Sequence, residues 1–160
     1  MSDIKIPVTQ AIRVLRDHHV DFLPHFYKYE EKGGSAVSSR ELGVDEHQVI
    51  KTLIMETETK TPLIVLMHGD KQVSTKQLAR EMGVKTISPC APDVANKHSG
   101  YFVGGTSPFG TKKKMPVYVQ KTILDLEIIY INGGQRGFLI SMKSAELLKV
   151  LDPKLVDVVA

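Results

Sequence analysis

Two runs carry the reading of the fold: VIKTLIMET at Val49–Thr57 and PLIVLMHGD at Pro62–Asp70, separated by the charged stretch Glu58–Thr61. Both are short, rich in β-branched and aliphatic residues, and bounded by turn-forming residues, which is the signature of strands. The spacing predicts a hairpin. Upstream of it, Val8, Ala11, Ile12, Val14 and Leu15 recur at helical spacing behind Pro7, predicting an amphipathic helix over Pro7–His18 with proline in its first turn. The stretch VDFLPHFYKYE (residues 20–30) alternates as a strand does, and Pro24 within it points to a sheet edge or a bulge. Ser38 is placed as the N-cap of a short helix that Gly43 stops, with another helical turn over Asp45–Val49.

Downstream, Ser74 is placed to cap a helix running to Met82 and ended by Gly83, before the strand VKTISP. PDVANKHSG reads as a helix closed by Gly100, with Asp93 in its first turn. Strands follow at Val117–Val119, EIIYI and LVDVV, with a helix over Ser144–Leu151. Strands and short helices alternate without the regular rhythm of a doubly wound sheet. The expected class is α+β: a curved, barrel-like mixed β-sheet flanked by short helices, in one domain spanning residues 1–160.

Composition excludes several functions. A hydrophobic fraction of 42% with interspersed charges is that of a globular chain rather than a disordered one. No apolar run approaches the ~20 residues of a bilayer span, and the first residues lack the zones of a signal peptide, so the cytoplasm is the expected compartment and no membrane partner is expected. Cys90 is the single cysteine, which rules out an intramolecular disulfide and a cysteine metal cluster. The formal net charge of +3 is mild, so an anionic partner has to be recognised by a local patch.

The chemistry-bearing residues are few. Lys51 shares a strand face with Val49, Leu53 and Met55, so its ammonium is either drawn into a desolvated setting that needs a ligand or snorkels to water from an edge. Two GlyGly steps, Gly104–Gly105 in YFVGG and Gly133–Gly134 in NGGQRG, each follow strand-like residues. Glycine lets a ligand approach the backbone and offers N–H groups to an oxyanion, and it also serves bulges and turns. His18, His19, His25, His47, His68 and His98 lack the spacing of a metal site, and no metal or cofactor is expected. A P-loop and a nucleophile elbow are both absent. A hydrolase built from this chain has to use water or a group of its substrate as nucleophile. Lys112, Lys113 and Lys114 form either a solvated run or a contact to RNA phosphates.

Four segments together carry a resemblance: HFYKYE (residues 25–30), VIKTLIM (49–55), HSGYFVGGTSPFGTKKK (98–114) and IYINGGQRG (129–137). The chain resembles, nearly end to end, the YbaK/EbsC family of aminoacyl-tRNA deacylases, freestanding relatives of the editing domain inserted in some bacterial prolyl-tRNA synthetases. The resemblance implies a barrel-like mixed sheet and the removal of cysteine wrongly attached to proline tRNA, the substrate thiol attacking its own carbonyl to leave as a thiolactone. By the same resemblance Lys51 and Gly104 are the catalytic residues. Tyr27, Thr52, Gly105, Asn132, Gly133 and Gly134 are assigned to substrate binding, and Lys112, Lys113 and Lys114 to tRNA. Asn132 stands where close members usually carry serine, a change that bears on the size of the amino acid admitted. The implied partners are aminoacylated proline tRNA and prolyl-tRNA synthetase, and not DNA. The alternatives are a deacylase for another small amino acid such as alanine, with water attacking, or a non-catalytic module that binds tRNA or the synthetase.

Overall fold

The protein is described by a computed structural model covering residues 5–160. Thr9 opens the first helix, α1 (Gln10–Asp17), by accepting from the Ile12 N–H at 3.1 Å, a cap worth about 1 kcal/mol. The helix therefore starts three residues beyond Pro7. Strand β1 (Phe22–Phe26) follows and ends before Tyr27, short of the run predicted to Glu30. Helix α2 (Gly34–Leu42) corrects the expected cap: its N-cap is Gly33, and Ser38 lies buried mid-helix with its hydroxyl turned back to the Ser35 carbonyl at 3.2 Å. Gly43 closes α2 in the left-handed region as expected.

The hairpin forms as predicted, with β2 (Val49–Thr57) and β3 (Pro62–His68) antiparallel over the register Ile50↔His68 to Glu56↔Pro62. Then come α3 (Thr75–Met82), capped by Ser74 and closed by Gly83, β4 (Ile87–Pro89), and α4 (Pro92–Ser99), closed by Gly100. The remainder is β5 (Val117–Gln120), β6 (Ile128–Gln135), β7 (Phe138–Lys143), α5 (Glu146–Leu151) and β8 (Lys154–Val156). The mixed class is as expected. Eight strands form one sheet in the order β1-β7-β6-β2-β3-β5-β8, with β4 added to β2. Pro24 sits on the edge strand β1, where a missing N–H is tolerated.

Both faces of the sheet are covered. Ile50, Ile54, Ile64, Leu66, Ile129, Ile131 and Ile140 pack with Ala11, Ile12 and Leu15 of α1 on one face. Met55, Leu63, Val65 and Met67 pack with Leu78 and Ala79 of α3 on the other. Period-two alternation thus sends Ile50, Thr52 and Ile54 to the α1 side, and Lys51, Leu53 and Met55 to the α3 side.

On the edge away from β3, β2 pairs with β6 in parallel only at Val49↔Tyr130 and Ile50↔Ile131, and with β4 only from Met55 to Thr57. Between those ladders Lys51, Thr52 and Leu53, though paired with β3 on the other side, have no strand partner on this edge among the described residues. The strands part immediately before Lys51 on one side and Asn132 on the other.

His68 lies buried at the end of β3, with Nδ1 2.8 Å from the His47 carbonyl and Nε2 2.7 Å from the Thr122 hydroxyl. That pairing suits the neutral ring: Nδ1–H donates and Nε2 accepts. The His47 ring stacks on it at 3.7 Å and itself meets Asp70 at 2.8 Å. Burial lowers the His68 pKa from its ordinary 6.5; the His47 carbonyl and Asp70 act in the opposite sense, and the charges of His47 and Lys71 add to the lowering. The unfolded chain therefore binds more protons than the folded one, and stability falls as pH drops below about 6.5. Urea unfolding at neutral pH and at pH 5 is expected to show this loss, and His68→Gln is expected to shrink the difference between the two pH values. An undiminished difference in the variant would assign the acid sensitivity elsewhere, for example to His25, which burial also lowers.

Candidate active site

The glycine-rich loop begins where Gly100 ends α4. Phe102 to Gly105 form a tight turn: the Gly105 N–H donates to the Phe102 carbonyl at 2.8 Å, and Gly104 has φ +89°, the value a type II turn requires at its third position. Two side chains from the β6–β7 hairpin hold this turn. Asn132 donates from Nδ2 to the Gly104 carbonyl at 3.1 Å, and Arg136 donates from Nε to the Val103 carbonyl at 2.8 Å. The carbonyls on both sides of Gly104 are thereby fixed. Its own N–H has no partner among the described residues and stands at an exposed point of the loop, available to an incoming carbonyl oxygen.

The second GlyGly step is a bulge. Between Asn132↔Leu139 and Gln135↔Phe138, β6 carries Gly133 and Gly134 as additional residues, and the Asn132 Oδ1 closes the bulge by accepting from the Gly134 and Gln135 N–H groups at 2.7 and 3.1 Å. A Cβ on Gly133 would lie 2.4 Å from the fully buried Phe138 ring. Thr9 donates to the Gly133 carbonyl at 2.5 Å, joining α1 to the same corner. The Asn132 amide is thus spent on the protein itself. Its place here is that of a brace between the two glycine steps.

Tyr27 is half-buried nearby: its N–H donates to the Gly137 carbonyl at 3.0 Å, and burial raises its phenol pKa. Tyr29 and Arg136 are residues that sequence reasoning did not single out. The Tyr29 ring lies where a Cβ on Gly104 would fall, 2.6 Å from the hydroxyl, and the Arg136 guanidinium covers that ring at 5.0 Å. Both lie inside the quoted HFYKYE and NGGQRG segments, yet neither spacing nor residue type marks them off from surface residues.

Lys51 and Thr52 come from the other strand of the parting. The Lys51 ammonium donates to the Lys71 carbonyl at 2.5 Å; burial lowers its pKa, opposed by the carboxylates of Glu46 and Asp70. Thr52 carries the opposite anomaly, since its Oγ1 is buried with no hydrogen-bond partner among the described residues. Such a group costs about 1–3 kcal/mol unless something satisfies it. Thr52→Val is therefore expected to raise the thermal midpoint by roughly 2–4 °C while lowering turnover about tenfold. A variant that is both destabilised and fully active would show that the hydroxyl meets no substrate.

Gly104, Gly105, Asn132, Gly133 and Gly134 are brought together through direct contacts, with Tyr27 at their border; Lys51 and Thr52 follow the last β2–β6 pair on the neighbouring strand, make no hydrogen bond to this cluster among the described residues, and project to opposite faces of β2. Lys112, Lys113 and Lys114 lie outside this cluster, exposed and pinned along the end of α4 by Lys112 N–H to Ser99 and Lys113 N–H to His98 at 3.0 and 2.9 Å. Among the described residues no group of three or more histidine, cysteine or acidic side chains could hold a metal ion. No helix among them is long and apolar enough to cross a membrane.

Residues 30–150 match the aminoacyl-tRNA editing domain, a span that takes in every element from α2 to the end of the β6–β7 hairpin. The chain belongs to the aminoacyl-tRNA editing domain family. It is 26% identical over 151 residues to a candidate Cys-tRNA(Pro)/Cys-tRNA(Cys) deacylase, EbsC, of Enterococcus faecalis, covering 94% of this chain and 92% of that protein. It is also 33% identical over 110 residues to the proline–tRNA ligase of Thermodesulfovibrio yellowstonii, covering 69% of this chain but only 18% of that ligase. The crystal structure of a candidate trans-editing enzyme for prolyl-tRNA synthetase superposes with a TM-score of 0.81 at 19% identity, covering 98% of this chain and 99% of the other. At that identity the match speaks for the fold. The editing-domain family and its mixed fold, both expected from the four sequence segments, are borne out, as is the expectation of an aminoacyl-tRNA editing enzyme.

Proposed function

We propose that this editing domain removes cysteine wrongly attached to proline tRNA, opening the ester to the terminal adenosine with the help of the substrate's own thiol. The observation that carries the reading is the Gly104 N–H, without a partner among the described residues and held in place by Asn132 and Arg136 beside the parting of β2 and β6. A donor fixed before the substrate arrives costs no reorganisation when charge develops on the carbonyl oxygen. The family and the candidate Cys-tRNA deacylase among its relatives support the substrate class.

The roles follow from position. Gly104 N–H receives the carbonyl oxygen, while Gly105, Gly133 and Gly134, whose Cβ positions are taken by Arg136, Phe138 and Tyr101, let the backbone pack closely enough to form the wall against which a small aminoacyl group is held. Thr52 Oγ1 hydrogen-bonds a polar group of the substrate. Lys51 leaves the Lys71 carbonyl to meet the oxygens of the terminal nucleotide, and Tyr27 borders the pocket. The thiol sulfur attacks the carbonyl carbon, the tetrahedral oxyanion collapses, and the ribose oxygen leaves with a proton, giving the free tRNA terminus and a cysteine thiolactone. The chain needs no nucleophile of its own, and Cys90 is unsuited to that task because burial and the neighbouring Glu56 push its thiol up to about 11. Lys112, Lys113 and Lys114 meet phosphates of the acceptor end, and prolyl-tRNA synthetase is the proposed source of the substrate.

Blocking the thiol tests the mechanism. Proline tRNA charged with S-methylcysteine is expected to persist where cysteinyl tRNA is cleared, with a thiolactone or its hydrolysis product found by mass spectrometry in the second case only. Equal release of both amino acids would assign the attack to water.

A further inference from the structure

Phe102 is the most exposed large apolar side chain in the described structure, at 70%, with Val103 beside it at 49%. The other phenylalanines are accounted for: Phe109 and Phe138 are fully buried, Phe22 packs against the core, and Phe26 stacks on Phe138 at 5.1 Å. The Phe102 ring enters no aromatic pair among the described residues. Nor does it hang from a loose loop. Its carbonyl accepts from the Gly105 N–H at 2.8 Å and from the Thr106 hydroxyl at 3.3 Å, while the next carbonyl is held by Arg136. An apolar surface presented on so fixed a backbone is ready to receive a planar partner at little entropic cost.

The surrounding charges say what kind of partner. Arg136, Lys112, Lys113 and Lys114 are exposed, and none of them enters a salt bridge among the described residues. Lys112 approaches Gly100, two residues before Phe102, closely enough that a Cβ there would lie 3.4 Å from its own. An exposed aromatic ring among uncompensated cations fits a ligand that alternates flat apolar faces with negative charges, which is the chemistry of single-stranded nucleic acid.

We propose that Phe102, with Val103, is a stacking platform for an unpaired base at the 3′ end of the RNA, the lysines and Arg136 meeting its phosphates. This deepens the reading given above, on which it rests, by naming the surface that delivers the ester to Gly104. The platform stands within the same four-residue turn as Gly104, so a base seated on it lies beside the reacting group.

The test uses two uncharged RNA hairpins, one with an unpaired 3′ tail and one blunt, with affinity measured at fixed salt. The intact protein is expected to prefer the tailed hairpin. Phe102→Ala is expected to lose roughly 5- to 150-fold in affinity for the tailed RNA and little for the blunt one. Phe102→Leu should behave like the alanine variant, whereas Phe102→Trp should retain the preference and show fluorescence quenching by the tail. Full tail preference in Phe102→Ala, or in Phe102→Leu, overturns the proposal. So does dependence on Phe102 of binding to the synthetase without any tail preference. Because hairpin binding is read without turnover, a protein that prefers the tail yet deacylates nothing would contradict the proposed activity and leave the platform standing.

Discussion

Lys51→Met is expected to lower deacylation of cysteinyl proline tRNA by about 10²- to 10³-fold, the effect of deleting one charged contact to a developing oxyanion or leaving group. Methionine keeps most of the unbranched stem, and the cross-strand partner of Lys51 is Met67, so the packing toward α3 survives. The Lys71 carbonyl that loses its donor is on an exposed residue, where water replaces the ammonium. The fold should therefore be intact, with an unchanged circular dichroism spectrum and thermal midpoint. On the proposed reading Lys51, partly buried, its pKa pushed down by that burial, and lying where β2 parts from β6, meets a ligand rather than serving stability. A well-folded variant with wild-type turnover would remove Lys51 from the site.

Gly104→Ala is expected to cost at least about 100-fold in turnover and about 1–3 kcal/mol in stability. Two effects combine. The residue has φ +89°, which an alanine adopts only under strain, and its Cβ would fall 2.6–2.9 Å from the Tyr29 hydroxyl and ring atoms, which Arg136 covers from above. Relief requires the turn to rotate, which redirects the Gly104 N–H. Gly83→Ala is the matched comparison: its φ is +73° but no atom lies within 4 Å of the added carbon, so it pays the strain without the clash and should keep full activity. If both variants lose stability alike and both retain turnover, the Gly104 N–H has no catalytic part.

The difference between what the sequence announces and what it conceals is one of range. The hairpin was legible because its two runs and its turn are contiguous, and the helix ends at Gly43, Gly83 and Gly100 because glycine is the residue that accepts a positive φ. Ser38 misled for a physical reason: it satisfies the local rule for a cap, but the chain needed it inside α2, where its hydroxyl bonds backward. The parallel pairing of β2 with β6, and its early end, join residues some eighty positions apart and leave no local trace. The bulge at Gly133–Gly134 was visible as a GlyGly step and open to two readings; the structure resolves its backbone as a bulge closed by Asn132. Arg136 and Tyr29 matter through what they hold, a carbonyl and a neighbouring ring, and no residue-type rule singles out such a role.

Thiol-assisted editing with Lys51 at the site is tested most directly by the release of amino acid from proline tRNA charged separately with cysteine, alanine and proline, each with the unmodified protein and with Lys51→Met. Rapid release of cysteine by the unmodified protein is expected, with alanine and proline retained, and loss of that release in the variant. Release of alanine in preference to cysteine, or release of cysteine undiminished by the loss of Lys51, would contradict this reading.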